Sequence, residues 1–98
     1  MQNTETTMAL TLLDFYAPWC GPCRMMKPVL EAFEKEHPTI SVRRINVDCD
    51  PDLATIYEVT TVPTLVCLDG DTFRWKTVGY QTLEAIEAKF STGAPKDE

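Results

Sequence analysis

The chain has 98 residues, 44% hydrophobic and 24% charged, which supplies apolar material for one core and is too short for a second domain. Nine Lys and Arg against 15 Asp and Glu give a net charge of -6, and Arg43-Arg44 is the only basic doublet, so the counterion release that drives nucleic-acid binding is lacking and nucleic acid is excluded as a partner. No run approaches the roughly 20 apolar residues of a spanning helix, and Met1 to Met8 has neither the basic nor the apolar region of a secretory leader, so a cytoplasmic protein with no membrane partner is expected.

Residues 1–8 read as a short extension before a domain over 9–90. Ala9 to Tyr16 (ALTLLDFY) is a nearly continuous apolar run, the pattern of a strand covered on both faces, broken only by the carboxylate of Asp14. From Pro22 the period changes: Met26, Leu30, Phe33 and His37 recur at helical spacing, and Lys27, Glu31 and Lys35 offer i,i+4 pairs on the outer side. A helix over about 21–37 follows, with Pro28 expected to kink it, His37-Pro38 to stop it, and His37 a solvated end without a metal cluster around it. Ile40 to Val47 is rich in β-branched residues and reads as a strand. Asp50-Pro51 then caps a short helix carrying Leu53, Ile56 and Tyr57. Thr64 to Leu68 and Thr72 to Val78 flank Asp69-Gly70-Asp71, a hairpin signal, and Leu83, Ile86 and Phe90 mark a last helix capped by Thr82. Residues 91–98 (STGAPKDE) are expected to fray.

The order β-α-β-α-β-β-α implies an α/β fold. Two strands joined through a helix run parallel, the hairpin adds an antiparallel pair, and a mixed four-stranded sheet with helices on both faces results. Four cysteines stand at 20, 23, 49 and 67. A chain with its own core has little need of disulfide staples, and a bridge between Cys20 and Cys23 would close too short a loop to restrict the unfolded state much, so this close pair is read as chemical. Placed between a buried strand and a helix, Cys20 meets the unpaired N–H groups and positive dipole end of that helix, a setting that favours thiolate. A lone Cys-X-X-Cys is also compatible with half a zinc site. Cys67, in an apolar strand, reads as a small buried hydrophobe, and Cys49, between Asp48 and Asp50, as a thiol of dulled reactivity.

The stretch Leu13-Asp14-Phe15-Tyr16-Ala17-Pro18-Trp19-Cys20-Gly21-Pro22-Cys23, with Val62-Pro63-Thr64 downstream, resembles the thioredoxin family, and the likeness runs from about Leu10 to Phe90. The resemblance implies a thioredoxin-like fold and a thiol–disulfide oxidoreductase that reduces protein disulfides, working without metal or cofactor. In that reading Cys20 is an exposed nucleophile and Cys23 resolves the mixed disulfide, with Trp19, Gly21 and Pro22 completing the motif. Asp14 would lie buried behind Cys23 and help move its proton; Arg44, where the family often has lysine, would pair with it, and a tight fork would hold it ionised. Val62, Pro63 and Thr64 match the cis-proline segment that offers backbone groups to a substrate strand, and Gly79 the glycine that keeps the groove floor low. Implied partners are disulfide-containing proteins and a thioredoxin reductase or other dithiol donor, in cell redox homeostasis and electron transport.

The chain departs from the family pattern in three places. Only about nine residues precede the strand leading to the motif, so the usual N-terminal β-α unit is expected to be lacking, which makes Ile40 to Val47 a sheet edge guarded by Arg43-Arg44 or used for dimerisation. Thr61 replaces the usual glycine before Val62-Pro63, and the hairpin at Asp69-Gly70 is short. Two other functions fit the same dithiol: a binding module on the same fold, and an oxidant or isomerase. The Gly21-Pro22 linker resembles that of reducing members and favours the reductant.

Overall fold

A computed structural model describes residues 9–92, and the extension and the tail beyond Thr92 lie outside them. The element order is β1 (Leu10–Tyr16), α1 (Gly21–Glu36), β2 (Ser41–Asn46), α2 (Pro51–Ile56), β3 (Thr64–Asp69), β4 (Thr72–Val78) and α3 (Leu83–Thr92). The last helix therefore runs two residues into the segment expected to fray. The four strands form one mixed sheet ordered β2-β1-β3-β4, with β1 parallel to β2 and antiparallel to β3, and β3 antiparallel to β4.

The central position of β1 explains its apolar run, because alternate residues feed two different cores. Leu12 packs with Met26, Leu30 and Phe33 of α1, Leu65 of β3 and Ile86 of α3. Leu13 and Phe15 join Ile45, Val66 and Ala54 of α2 on the other face. Helices thus cover both sides of the sheet. Each of these side chains is fully or nearly fully buried, so truncating Phe33 to alanine would cost about 3–5 kcal/mol in lost burial and cavity.

Local capping follows the sequence. Asp50 accepts a hydrogen bond from the Leu53 N–H at 3.3 Å and opens α2, and Thr82 Oγ1 accepts from the Ala85 N–H at 3.1 Å at the start of α3. Gly70 takes φ +61° in the β3–β4 turn, the left-handed region that glycine enters at no steric cost. α1 continues through Pro28.

Several expectations are corrected. The short helix α2 carries Leu53 and Ile56 but ends before Tyr57, its C-cap; Ala54 is its buried residue, Leu53 and Tyr57 pack against the same cluster, and Ile56 is 67% exposed. The i,i+4 pairs of Lys27, Glu31 and Lys35 are not formed within 4 Å among the described residues; all three side chains stand in solvent, where such pairs gain little. Only Arg43 is left to guard the β2 edge, since Arg44 points to the opposite face and is engaged by Asp14. His37 is not a free solvated end: its Nε2 lies 2.9 Å from Glu87 Oε2, its ring stacks 4.5 Å from Phe33, and ligand atoms of Glu36, His37 and Glu87 lie within 4.8 Å of one another.

Candidate active site

The segment after β1 turns at Ala17-Pro18-Trp19 and delivers Cys20 as the N-cap of α1. The Cys20 N–H donates to Ala17 O at 3.1 Å, and Cys20 Sγ accepts from the Cys23 N–H at 3.1 Å, so the first sulfur sits on the unpaired donors of the helix start. That position stabilises negative charge on the sulfur when it is reduced. Cys20 and Cys23 form a disulfide, with Cα atoms 5.2 Å apart.

Around the pair the chain builds an asymmetric surface. Trp19 is 70% exposed and its Nε1 donates to Asp48 Oδ2 at 3.2 Å, which ties the motif to the loop after β2. The Val62-Pro63 peptide is cis, and Val62 O lies 3.8 Å from Cys20 Sγ. Trp19, Val47, Val59, Thr60, Thr61 and Val62 line a largely apolar groove of about 320 Å³ beside the disulfide.

Two site expectations change on this geometry. Cys20 was expected to be exposed, yet only 5% of it is accessible, because it packs with Ala17, Cys23 and the partly buried Val62. Pro63 and Thr64 are fully buried and support the groove from beneath, with Thr64 Oγ1 donating to Thr61 O at 2.6 Å. Val62 alone of that triplet lines the groove, which Val47, Val59 and Thr60 complete; these three were missed because nothing in their local pattern sets them apart from ordinary strand and loop residues. Gly79 follows β4 at φ +95°, and its N–H donates to Pro63 O at 2.7 Å. A Cβ there would meet nothing within 4 Å, so backbone conformation demands the glycine, not a neighbour.

Asp14 is completely buried in β1 and stands opposite Arg44 in the β1–β2 register. Arg44 Nε donates to Asp14 Oδ2 at 3.0 Å, a single contact and not a fork, while its guanidinium carbon sits 4.3 Å from the centre of the Tyr16 ring. The other oxygen, Oδ1, has no hydrogen-bond partner among the described residues. Burial pushes the Asp14 carboxyl above its ordinary value, and the hydrogen bond and charge of Arg44 only partly offset it. The tuning of this acid, which the sequence leaves open, is thus set first by desolvation and only then by Arg44. Arg44 neighbours Cys23 along a second cavity that also takes in Arg24 and Lys27.

The two remaining cysteines differ. Cys49 is exposed and free; Cys67 is buried in β3, and burial pushes its thiol up to about 11.

The thioredoxin family model matches residues 2–92. The chain is 41% identical over 81 residues to thioredoxin of Alicyclobacillus acidocaldarius, covering 82% of this chain and 77% of that one, and 39% identical over 87 residues to thioredoxin of Bacillus subtilis, covering 87% and 83%. Mitochondrial thioredoxin 3 of Saccharomyces cerevisiae, solved in its oxidised form, superposes with a TM-score of 0.79 at 35% identity over 85% of this chain and 77% of that one. Among the described residues no helix is long and apolar enough to cross a membrane. With the disulfide at the N-cap of α1 facing a cis-proline and the match spanning nearly the whole chain, the chain belongs to the thioredoxin family and is a thiol–disulfide oxidoreductase that reduces protein disulfides.

Proposed function

We propose that Cys20 is the attacking sulfur and Cys23 the resolving one. In the reduced protein, the Cys20 thiolate attacks one sulfur of a substrate disulfide, and the other substrate sulfur leaves as thiolate and takes up a proton. Cys23 loses its proton, attacks Cys20 Sγ, and expels the second substrate sulfur, so the substrate gains two electrons and the protein ends with the Cys20–Cys23 bond. The observation that supports this order is the N-cap placement: Cys20 Sγ lies on the Cys23 N–H and at 3.8 Å from Val62 O, while Cys23 is 1% exposed inside the first turn.

Asp14 is the group that accepts the Cys23 proton, which its raised affinity for a proton and its unpartnered Oδ1 both favour, and Arg44 limits how far that affinity rises. Trp19 and Pro22 present Cys20; the apolar groove with the Val62 backbone takes the substrate segment as an added strand, over Pro63, Thr64 and Gly79. A thioredoxin reductase or another dithiol donor returns the bridge to two thiols. The free Cys49 and Cys67 suit a reducing compartment, and we place the protein in the cytoplasm, in redox homeostasis and electron transport.

Equilibration in graded thiol–disulfide buffers, read by alkylation and mass, tests the direction of the reaction. A midpoint more reducing than the glutathione pool is expected. A midpoint well above that pool would replace the reductant with an oxidant or isomerase.

A further inference from the structure

Beside the apolar groove a second cavity of about 320 Å³ opens against Cys23, and the two share no lining residue. Three of the chain's nine Lys and Arg line it: Arg24, Lys27 and Arg44. No carboxylate does. Asp14 pairs with Arg44 from its buried place in β1 and does not line the cavity, so the three cations make this mouth locally positive in a protein whose total is -6.

Two of these cations are held in place before any partner arrives. Arg24 Nη1 donates to Pro18 O at 3.0 Å, which lays its guanidinium along the loop that carries Cys20. Arg44 is fixed between Asp14 and the Tyr16 ring. Lys27 makes no ion pair within 4 Å among the described residues and leaves its ammonium to solvent. Fixed guanidinium groups lose little freedom on engaging a carboxylate, and their planar forks match it.

We propose that this cavity receives a carboxylate side chain flanking the reacting cystine of a partner protein, so that the chain selects disulfides with acidic neighbours; this rests on the reading of Cys20 and Cys23 as the exchanging pair. The reach is right. Cys23 lines the cavity and its Cα is 5.2 Å from that of Cys20, a span an extended chain covers in about two residues at about 3.3–3.6 Å each, so an acid close in sequence to the sulfur bound to Cys20 can reach the cavity's mouth. The overall negative charge does not oppose this at physiological salt, where fields fade over about 8 Å and the nearby cations dominate.

The test mixes reduced protein with three cystine peptides that differ only in carrying Glu, Gln or Lys beside the cystine, placed on each side in turn, and follows protein oxidation by Trp19 fluorescence. The Glu peptide should react about fivefold faster than the Gln peptide and the Lys peptide slower still, with the spread shrinking as salt rises toward 1 M and the screening length falls to about 3 Å. In an R24Q/K27Q variant the Glu-to-Gln ratio should fall toward one, and in R24E/K27E the order should invert. Equal rates for the three peptides, or a ratio unchanged in R24Q/K27Q, would overturn the proposal and leave the exchange reaction standing. Failure of reduced protein to oxidise with any peptide would instead overturn the exchange reading beneath it.

Discussion

Asp14 in β1 and Arg44 in β2 are paired across a parallel register, with Arg44 Nε 3.0 Å from Asp14 Oδ2, and the carboxylate side of this pair is fully buried while the guanidinium remains about one-third exposed. The cost of the pair therefore falls on Asp14. Its carboxyl is pushed above the ordinary 3.8 by burial, so between 3.8 and the folded value the native protein binds more protons than the unfolded chain. Stability then falls as pH rises through that window and stays reduced above it. Asp14→Asn removes the ionisable group and keeps an acceptor for Arg44. At neutral pH it should raise stability, because the desolvation cost of a buried charge is removed while Arg44, one-third exposed, keeps water, and the gain should narrow as pH falls through the folded value and be gone by 3.8. Urea denaturation across pH measures this; a gain that does not change with pH would assign the effect to packing.

The same substitution should slow the chemistry it no longer assists. An amide cannot take the Cys23 proton, so resolution of the mixed disulfide should slow by about 10² in Asp14→Asn, while attack by Cys20, whose charge is stabilised by the α1 N-terminus, changes far less. Single-turnover mixing with quench and mass detection separates the two steps, since an accumulating adduct marks slow resolution. Equal slowing of both steps would remove Asp14 from the proton path.

Gly79 tests whether a glycine is held by space or by backbone. Its φ of +95° is a conformation that side chains resist, and a Cβ would meet nothing within 4 Å. Gly79→Ala should therefore cost about 1–2 kcal/mol from conformation alone. The Gly79 N–H to Pro63 O bond at 2.7 Å couples that strain to the cis-proline segment, so the substitution should also weaken substrate binding. An unchanged urea midpoint would show that the turn accommodates a side chain freely.

Much of this arrangement is written locally in the sequence. The nearly continuous apolar run of Leu12, Leu13 and Phe15 around Asp14 announces a strand buried on both faces, and Cys20 ahead of a helical period announces its own N-cap. What is not written locally depends on contacts distant in the chain. Whether desolvation or Arg44 governs Asp14 is decided by how completely β1 is covered by α1 and β3, which no run of residues states. Likewise Ile56 stands with Leu53 and Tyr57 as an apolar residue of the α2 segment in sequence, but only Leu53 and Tyr57 pack against the core and Ile56 is left exposed. The groove residues come from two loops, Val47 after β2 and Val59-Thr60 after α2, and converge only in three dimensions.

The two cysteines outside the site should separate cleanly by accessibility. In the oxidised protein Cys20 and Cys23 are bonded, Cys49 is exposed, and Cys67 is buried with its thiol raised to about 11. Iodoacetamide at neutral pH should add one label to native oxidised protein, at Cys49, and two after denaturation. Rapid native labelling of Cys67 would mean that β3 opens on the labelling timescale.

His37 at the end of α1 and Glu87 in α3 meet at 2.9 Å, a polar contact beside the apolar packing that joins these two helices. Glu87 is held below its ordinary 4.5, first by the hydrogen bond from His37 and then by one with Glu36, against a smaller opposing effect of burial. A lowered carboxyl contributes stability above its unfolded value of 4.5 and loses it as pH falls through the folded value. Glu87→Gln should therefore lower the urea midpoint at neutral pH, and the difference from the parent chain should vanish in acid. Because the contact joins α3 to α1, amide exchange in α3 should quicken in Glu87→Gln more than exchange in β1, which lies at the centre of the sheet. A midpoint difference that persists at acid pH would show that the Glu87 stem, packed beside the Phe33–His37 stack, and not its charge, holds α3 in place.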